Sequence, residues 1–134
     1  MNEAERFLMI QLFLAALRDR LAKAIMYNRF VNSEVVMCSK TFARAVDIER
    51  KKGNEFAALW SVHSGDDGRR CQEFMDALSY AMRAGVVARP STVKQAATVL
   101  LTPRQVNEIL SHNDKYRDGA FALAQRYLRL SRSA

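Results

Sequence analysis

The chain has 134 residues, of which 49% are hydrophobic and 26% charged, so it is apolar enough to bury a core and is not a disordered chain. Its 21 basic and 14 acidic side chains give a formal net charge of +7. This excess favours an anionic partner, with nucleic acid first, an acidic protein second and an anionic membrane surface third.

The first predicted element is an unusually apolar helix. Residues 7–17 are almost wholly apolar but fewer than the roughly twenty residues that a bilayer span needs, and Glu3 and Glu5 stand where a secretory signal would be basic. We therefore expect a cytoplasmic protein without a membrane span. Apolar residues recur here every three or four positions, as in a coiled-coil seam, so we expect burial against a second chain as well as the chain's own core. The predicted oligomer interface consists of Phe7, Ile10, Leu14, Leu17 and Leu21.

Residues 33–52 are the most informative stretch. They follow a predicted break at residues 27–32 and form a predicted helix with Ser33 as its N-cap. Val35, Val36, Ser39, Phe42 and Val46 recur at helical spacing and form the predicted inner stripe, whereas Met37, Lys40, Thr41 and Arg44 form the outer face. Two helices, a tight turn and a cationic outer face are what a helix-turn-helix needs to enter a major groove, with residues 33–48 as the recognition helix. An ordinary helical hairpin with a solvated charged face has the same pattern.

Further cations extend the candidate DNA-binding set beyond that outer face. Basic residues end this helix, and others end the C-terminal helix, where they suit the helix dipole and could equally contact phosphate. The predicted DNA-binding residues are Arg29, Ser33, Lys40, Thr41, Arg44, Arg50, Lys51, Lys52, Arg129 and Arg132.

The rest of the chain is predicted to be helical as well. Gly53 and Asn54 end the second helix, residues 55–63 form a short helical or irregular piece, and residues 64–68 form a loop. A helix over residues 69–84 is stopped by Gly85, and another is expected over residues 92–101. Thr102 and Pro103 begin the next helix as N-cap and first residue, and the last helix spans about residues 118–130.

No stretch shows sustained strand alternation, so we predict an all-α fold. It is a compact multi-helix domain with a helix-turn-helix-like hairpin in its N-terminal third. We expect a single domain over residues 1–134. Residues 6–52 hold the apolar helix and the hairpin, residues 53–68 a connector, and residues 69–134 a helical C-terminal half.

The sequence shows little sign of a catalytic or metal-binding site. His63 and His112 lie far apart, with no neighbouring carboxylate or cysteine at the spacing of a triad or a metal pair. Asp66 and Asp67 lack the further oxygen ligands of a calcium loop. Cys38 and Cys71 match no metal spacing and indicate free thiols in a reducing compartment. We therefore predict a non-enzymatic protein without metal or cofactor.

Several segments, in order, resemble FlhC-type subunits of the FlhDC flagellar master regulator family. They are Arg20-Leu21, Ser33-Glu34-Val35-Val36, Phe56-Ala57-Ala58-Leu59-Trp60, the helix from Cys71 to Gly85, and the terminal helix over residues 121–130. The family's four-cysteine zinc module has no counterpart, since the sequence holds only two separated cysteines. Residues 101–106 also resemble a segment of the partner FlhD subunit. The resemblance implies a shortened bacterial transcription activator that works as a hetero-oligomer and contacts promoter DNA and RNA polymerase.

Two hypotheses of different classes follow. The first is a transcriptional regulator that binds double-stranded DNA through residues 33–52 and assembles with itself or with a partner regulator subunit. The second is a non-enzymatic helical interaction module, such as an adaptor or a mobile-element inhibitor, that docks on another protein through the apolar first helix. A distant third hypothesis is a helical-hairpin phosphatase, which Asn32-Ser33-Glu34 weakly resembles. That family's catalytic Asp has no match in this chain, because Ala43 stands at that position.

Overall fold

A long apolar helix, α1 (Glu3–Tyr27), runs through the core of the protein. The structure is a computed structural model that describes residues 2–27, 34–88 and 96–132. Around α1 pack α4 (Gln72–Arg83), α5 (Pro103–Ser111) and α6 (Asp114–Arg132). Residues 12–17 are all buried, because helices cover α1 on several sides.

The helix α2 (Ser39–Lys51) packs on α6 and α4, and the short α3 (Glu55–Ala58) lies beside it. The inner face of α2 buries Phe42 and Val46. The Phe42 ring stacks on Phe74 of α4 at 4.1 Å between centroids, and Phe13 of α1 meets it edge-on at 5.2 Å. Aromatic contacts therefore join the α1 side and the α2 side into one core.

Four short strands accompany the helices in the described part of the chain. β1 (Val35–Val36) pairs antiparallel with β4 (Ala96–Ala97), with Val35 opposite Ala97. β2 (His63–Gly65) and β3 (Gly68–Arg70) form a hairpin whose turn holds Asp66 and Asp67. Each strand has only two or three residues, so the predicted all-α class is confirmed as a mostly helical architecture.

The helix boundaries that the sequence predicted at Gly53, Gly85 and Thr102 are confirmed. Gly53 follows α2 at φ +81° and Gly85 follows α4 at φ +77°, a left-handed conformation that glycine adopts without strain. Thr102 caps α5 in a reciprocal arrangement: its Oγ1 accepts from the Gln105 amide at 3.2 Å, and Gln105 Oε1 accepts from the Thr102 amide at 2.9 Å.

The predicted helix-turn-helix-like hairpin is wrong in this structure. α2 begins at Ser39 rather than Ser33, and Val35 and Val36 lie in a strand. The β-branched valines pair instead with Ala96–Ala97, and this tertiary pairing overrides the helical spacing. The predicted helix over residues 92–101 is wrong from residue 96 onward, since Ala96–Ala97 form β4 and Val99 bridges to Val87, and residues 92–95 lie outside the described residues.

The two helices of that hairpin also differ from expectation. The first continues to Tyr27, and it packs against α4, α5 and α6, whereas α2 packs against α3, α4, α6 and β3. Arg29, Ser33 and residues 28–32 of the predicted break lie outside the described residues. Met37, predicted to face outward, is buried.

The predicted oligomer interface is corrected for four of its five residues. Ile10, Leu14 and Leu17 are fully buried in the chain's own core, and Leu21 is nearly so. The reason is that α4, α5 and α6 supply enough apolar surface to cover this seam within one chain. Phe7 is half-buried, with its ring 5.0 Å from that of Tyr80.

Within the described ranges, none of the helices has the length and apolar character needed to cross a membrane.

Candidate nucleic-acid interface

The outer face of α2 carries a stripe of cations. Lys40, Arg44 and Lys51 are exposed, and their spacings of four and seven residues place them on one side of the helix. At 1.5 Å per residue the stripe is about 16 Å long. Lys52 is exposed directly after the helix ends. Within the described residues, Arg44, Lys51 and Lys52 form no ion pair.

The β2–β3 hairpin lies against the same face of α2. Asp47, seven residues after Lys40, accepts two hydrogen bonds from Arg69 of β3, from Nε at 2.6 Å and from Nη2 at 3.0 Å. This fork holds the guanidinium in a fixed direction, and the pairing raises the pKa of Arg69. Ser64 Oγ accepts from Arg69 Nη1 at 3.1 Å, which ties the guanidinium to β2 as well.

The turn of the hairpin adds an anion beside the first lysine of the stripe. Asp67 lies 4.0 Å from Lys40 Nζ and also pairs with Arg70. The surface shared by α2 and the hairpin thus holds more cations than anions. Its cations are Lys40, Arg44, Lys51, Lys52, Arg69 and Arg70, and its anions are Asp47, Asp66 and Asp67.

This geometry changes what α2 can do. A major groove is about 12 Å wide and admits one helix. The hairpin is joined to the middle of the outer face of α2 at Asp47, so this face of the helix is not free to enter a major groove. The composite surface instead presents the cations of α2 beside the hairpin, with Arg69 paired to Asp47 on the outer face of α2.

Two of the predicted DNA-binding residues on α2 serve the fold. Arg50 donates from Nε to the Ala57 carbonyl at 3.3 Å and from Nη2 to the Trp60 carbonyl, so its guanidinium holds α3 and the segment after it. Thr41 is half-buried, and it lowers the pKa of the nearby Cys38 thiol. Neither side chain belongs to the exposed stripe.

The C-terminal arginines lie on a second surface. Arg129 lines a shallow pocket of about 570 Å³ between α1 and α6, together with Arg20, Phe121, Gln125 and the exposed carboxylate of Asp118. The Arg20 guanidinium lies 4.4 Å from the Phe121 ring centroid. Arg132 is exposed at the end of the same helix, whereas Arg126 points to α2 and pairs with Glu49 at 3.2 Å.

Sequence reasoning missed Arg20, Arg69 and Arg70 as members of these surfaces. The two arginines after the Gly-Asp-Asp-Gly turn carried a signal, since a turn of that composition between short segments is typical of a hairpin. Arg20 carried none, because its place depends on how α1 packs against α6.

The two cysteines stand at the N-terminal ends of α2 and α4, as free thiols. Burial of Cys38 opposes its ionisation, but hydrogen bonds from Thr41 and from the Lys40 amide outweigh this effect, so the pKa of Cys38 is lowered. Cys71 is fully buried, and burial raises its pKa to about 11. Ser39 Oγ joins the two sites, accepting from the Cys71 amide at 2.9 Å and donating to its carbonyl at 3.2 Å.

The histidines do not converge on a site. Both are exposed, His63 in β2 and His112 after α5, where the His112 Nδ1 lies 2.6 Å from the Glu108 carbonyl. In the part of the chain that the structure describes, no group of three or more His, Cys, Asp or Glu side chains could hold a metal ion. The expectation of a protein without catalytic activity stays a prediction.

No protein-family model, no curated protein and no solved structure matches this chain. The resemblance to FlhC-type subunits therefore stays a prediction that depends on the segments quoted from the sequence.

Proposed function

We propose that this protein is a transcriptional regulator that binds double-stranded DNA through the composite surface of α2 and the β2–β3 hairpin. The observation that carries the proposal is the exposed stripe of Lys40, Arg44 and Lys51, flanked by the fixed guanidinium of Arg69. A stripe about 16 Å long can follow several phosphates along one strand.

Phosphate contact explains this surface better than base reading. Lysine and arginine bind phosphate oxygens without reading sequence, and such contacts fix a protein's register and orientation on the duplex. The exposed cations of α2 reach outward on long side chains, and Arg69 neutralises Asp47, the carboxylate that lies among them. We propose that the pocket of Arg20 and Arg129 provides a second set of backbone contacts.

The wider biological setting is part of the same proposal. The net charge of +7 favours an anionic partner, and the FlhC-type resemblance implies a bacterial cytoplasmic activator that contacts RNA polymerase. We propose this setting on those two grounds.

The test is duplex binding followed by fluorescence anisotropy over a series of salt concentrations. Changing Lys40 and Arg44 together to Ala should weaken binding tenfold or more, since each decade corresponds to about 1.4 kcal/mol. The slope of log affinity against log salt should fall by roughly two units, because about 0.9 counterion is released for each phosphate neutralised.

A matched control separates this surface from net charge. Lys23→Ala with Arg104→Ala also removes two exposed cations, one on α1 and one on α5, and gives the same net charge. We expect the control to retain nearly full affinity. Equal losses in the two variants would leave only a charge effect and contradict the proposed surface, and a wild type that binds no duplex at low salt would reject DNA binding altogether.

A second candidate function, a helical protein–protein interaction module, is favoured by one observation. An open apolar groove lies between α1, α3 and the start of α6. Absence of duplex binding by the wild type would move the assignment to this candidate.

A further inference from the structure

The apolar groove has a volume of about 400 Å³. Leu8, Met9 and Leu12 of α1 form one side, and Phe56 and Leu59 from α3 and the residue after it form another. Tyr116, near the start of α6, closes it, with its ring 6.2 Å from the Phe56 ring. This volume lies within the usual size range of binding clefts, and most of the lining is hydrophobic.

Leu8, which lines the groove, is an unusually exposed apolar residue. Its side chain is 58% exposed, whereas Leu12, one turn further along α1, is only 2% exposed. The same face of the helix therefore offers a projecting leucine beside a cavity that could receive one. A surface with both a knob and a hole fits another copy of itself, provided that the two copies are related by a two-fold axis.

The charges around the groove are self-complementary in the same way. Glu5 lines one side and is exposed. Lys115 is exposed near Tyr116, with its Nζ 5.2 Å from that ring's centroid. Neither forms an ion pair within the described residues; the Glu5 carboxylate accepts only a 3.2 Å hydrogen bond from Asn2 Nδ2. Opposite charges at two sides of one groove can pair between two copies related by a two-fold axis, Glu5 of each with Lys115 of the other.

We propose that a second copy of this chain covers the groove, as a symmetric dimer in which Leu8 of each copy enters the groove of the other. A stable dimer buries roughly 1,200–2,000 Å² in total, so the groove forms the centre of the interface and the first turns of α1 and α6 form its rim. We expect micromolar association because this centre is small. The inference does not rest on DNA binding and is measured without nucleic acid.

Sedimentation equilibrium of the full chain, from low micromolar to several hundred micromolar, gives the dissociation constant. Leu8→Glu should weaken the dimer by about a hundredfold, because it places a charge in each apolar groove. Leu100→Glu is the matched control: Leu100 is 50% exposed and lies outside the groove lining, so the dimer should be unchanged. Circular dichroism of each variant checks that it remains folded.

A charge swap tests the two-fold pairing. Glu5→Lys and Lys115→Glu should each weaken the dimer about tenfold, and the double variant should recover most of the loss because both pairs then form with reversed sign. This measurement does not require the protein to tolerate a charge at Leu8.

A wild type that stays monomeric at every concentration, or a dimer that Leu8→Glu leaves intact, would overturn the proposal. A double variant whose loss of affinity equals the sum of the two single losses would also overturn it. Monomeric wild type that still binds duplex DNA would overturn the dimer alone and leave the proposed function standing.

Discussion

α1 and α2 differ in how much of their circumference the rest of the protein covers. The middle of α1 is covered all round by other helices, with Phe13 and Leu14 fully buried. α2 buries only one side and keeps Lys40 and Arg44 at the surface. A wide apolar band thus becomes core when one chain holds enough helices to cover it, whereas a helix with one charged side keeps that side in water.

The two helices are also held differently. α1 is held by apolar and aromatic packing, including the edge-on contacts of Phe13 with Phe42 and Tyr127. α2 adds directed polar contacts on its inner side, where Glu49, 5% exposed, pairs with Arg126 and accepts from Asn54 Nδ2 at 3.2 Å. Stability should therefore respond mainly to side-chain volume at α1, and at α2 to hydrogen-bond geometry as well as to side-chain volume.

The largest effect is expected from the core position of α1. Leu14→Ala should lower the free energy of unfolding by about 2–5 kcal/mol, since it removes buried methyl groups and leaves a cavity. Arg44→Ala on the outer face of α2 should change it by less than about 0.5 kcal/mol. Urea denaturation of both variants measures the contrast, and equal losses would contradict the division between the two helices.

The buried ion pair of α2 should give the next largest effect. Arg126→Ala leaves Glu49 buried without its cation, and we expect a loss of about 2–3 kcal/mol, at the low end for such pairs because Arg126 is partly exposed. Glu49→Gln alone should cost less, and combining it with Arg126→Ala should cost less than the sum. Additive losses in this double-mutant cycle would show that the pair does not act as a unit.

A third prediction concerns the start of α2. The Tyr127 hydroxyl accepts from the Cys38 amide at 2.9 Å and donates to the Val36 carbonyl. Tyr127→Phe should lower the free energy of unfolding by about 1–3 kcal/mol, because both backbone groups lose this partner. The control Tyr80→Phe, at a side chain that is 40% exposed, should be nearly silent in the same denaturation experiment.

The same tyrosine predicts a pH dependence. Burial raises the pKa of Tyr127 above its ordinary value of 10.0, so the folded state holds this proton more tightly than the unfolded state. The stability due to the neutral phenol is complete below pH 10 and is lost as the pH rises through the folded pKa. Tyr127→Phe should lose less stability above pH 10 than the wild type, and equal alkaline losses would argue against this.

The smallest expected effect is on thiol reactivity rather than on stability. Cys38 is half-buried with a lowered pKa, whereas Cys71 is fully buried with a pKa of about 11. Since the thiolate is the nucleophile, iodoacetamide should modify Cys38 first, with a midpoint below the ordinary pKa of 9.0. Thr41→Val should raise that midpoint. Mass spectrometry gives the rates, and modification of Cys71 at the same rate would contradict the prediction.

Several features of this protein follow from the sequence alone. The helical class and the ends at Gly53, Gly85 and Thr102 were predictable because capping and periodicity depend on residues within a turn or two of each other. The shared face of Lys40 and Arg44 was predictable for the same reason, since it follows from helix geometry once the segment is helical.

The start of α2 and the choice of open surfaces depend on how distant segments of the chain pack together. Val35–Val36 become a strand because Ala96–Ala97 pair with them. The seam of α1 becomes core because three later helices cover it, and the outer face of α2 becomes a composite surface because Arg69 forks onto Asp47. Each outcome depends on contacts between residues far apart in the chain. The strength of such contacts cannot be predicted from the pattern of neighbouring residues.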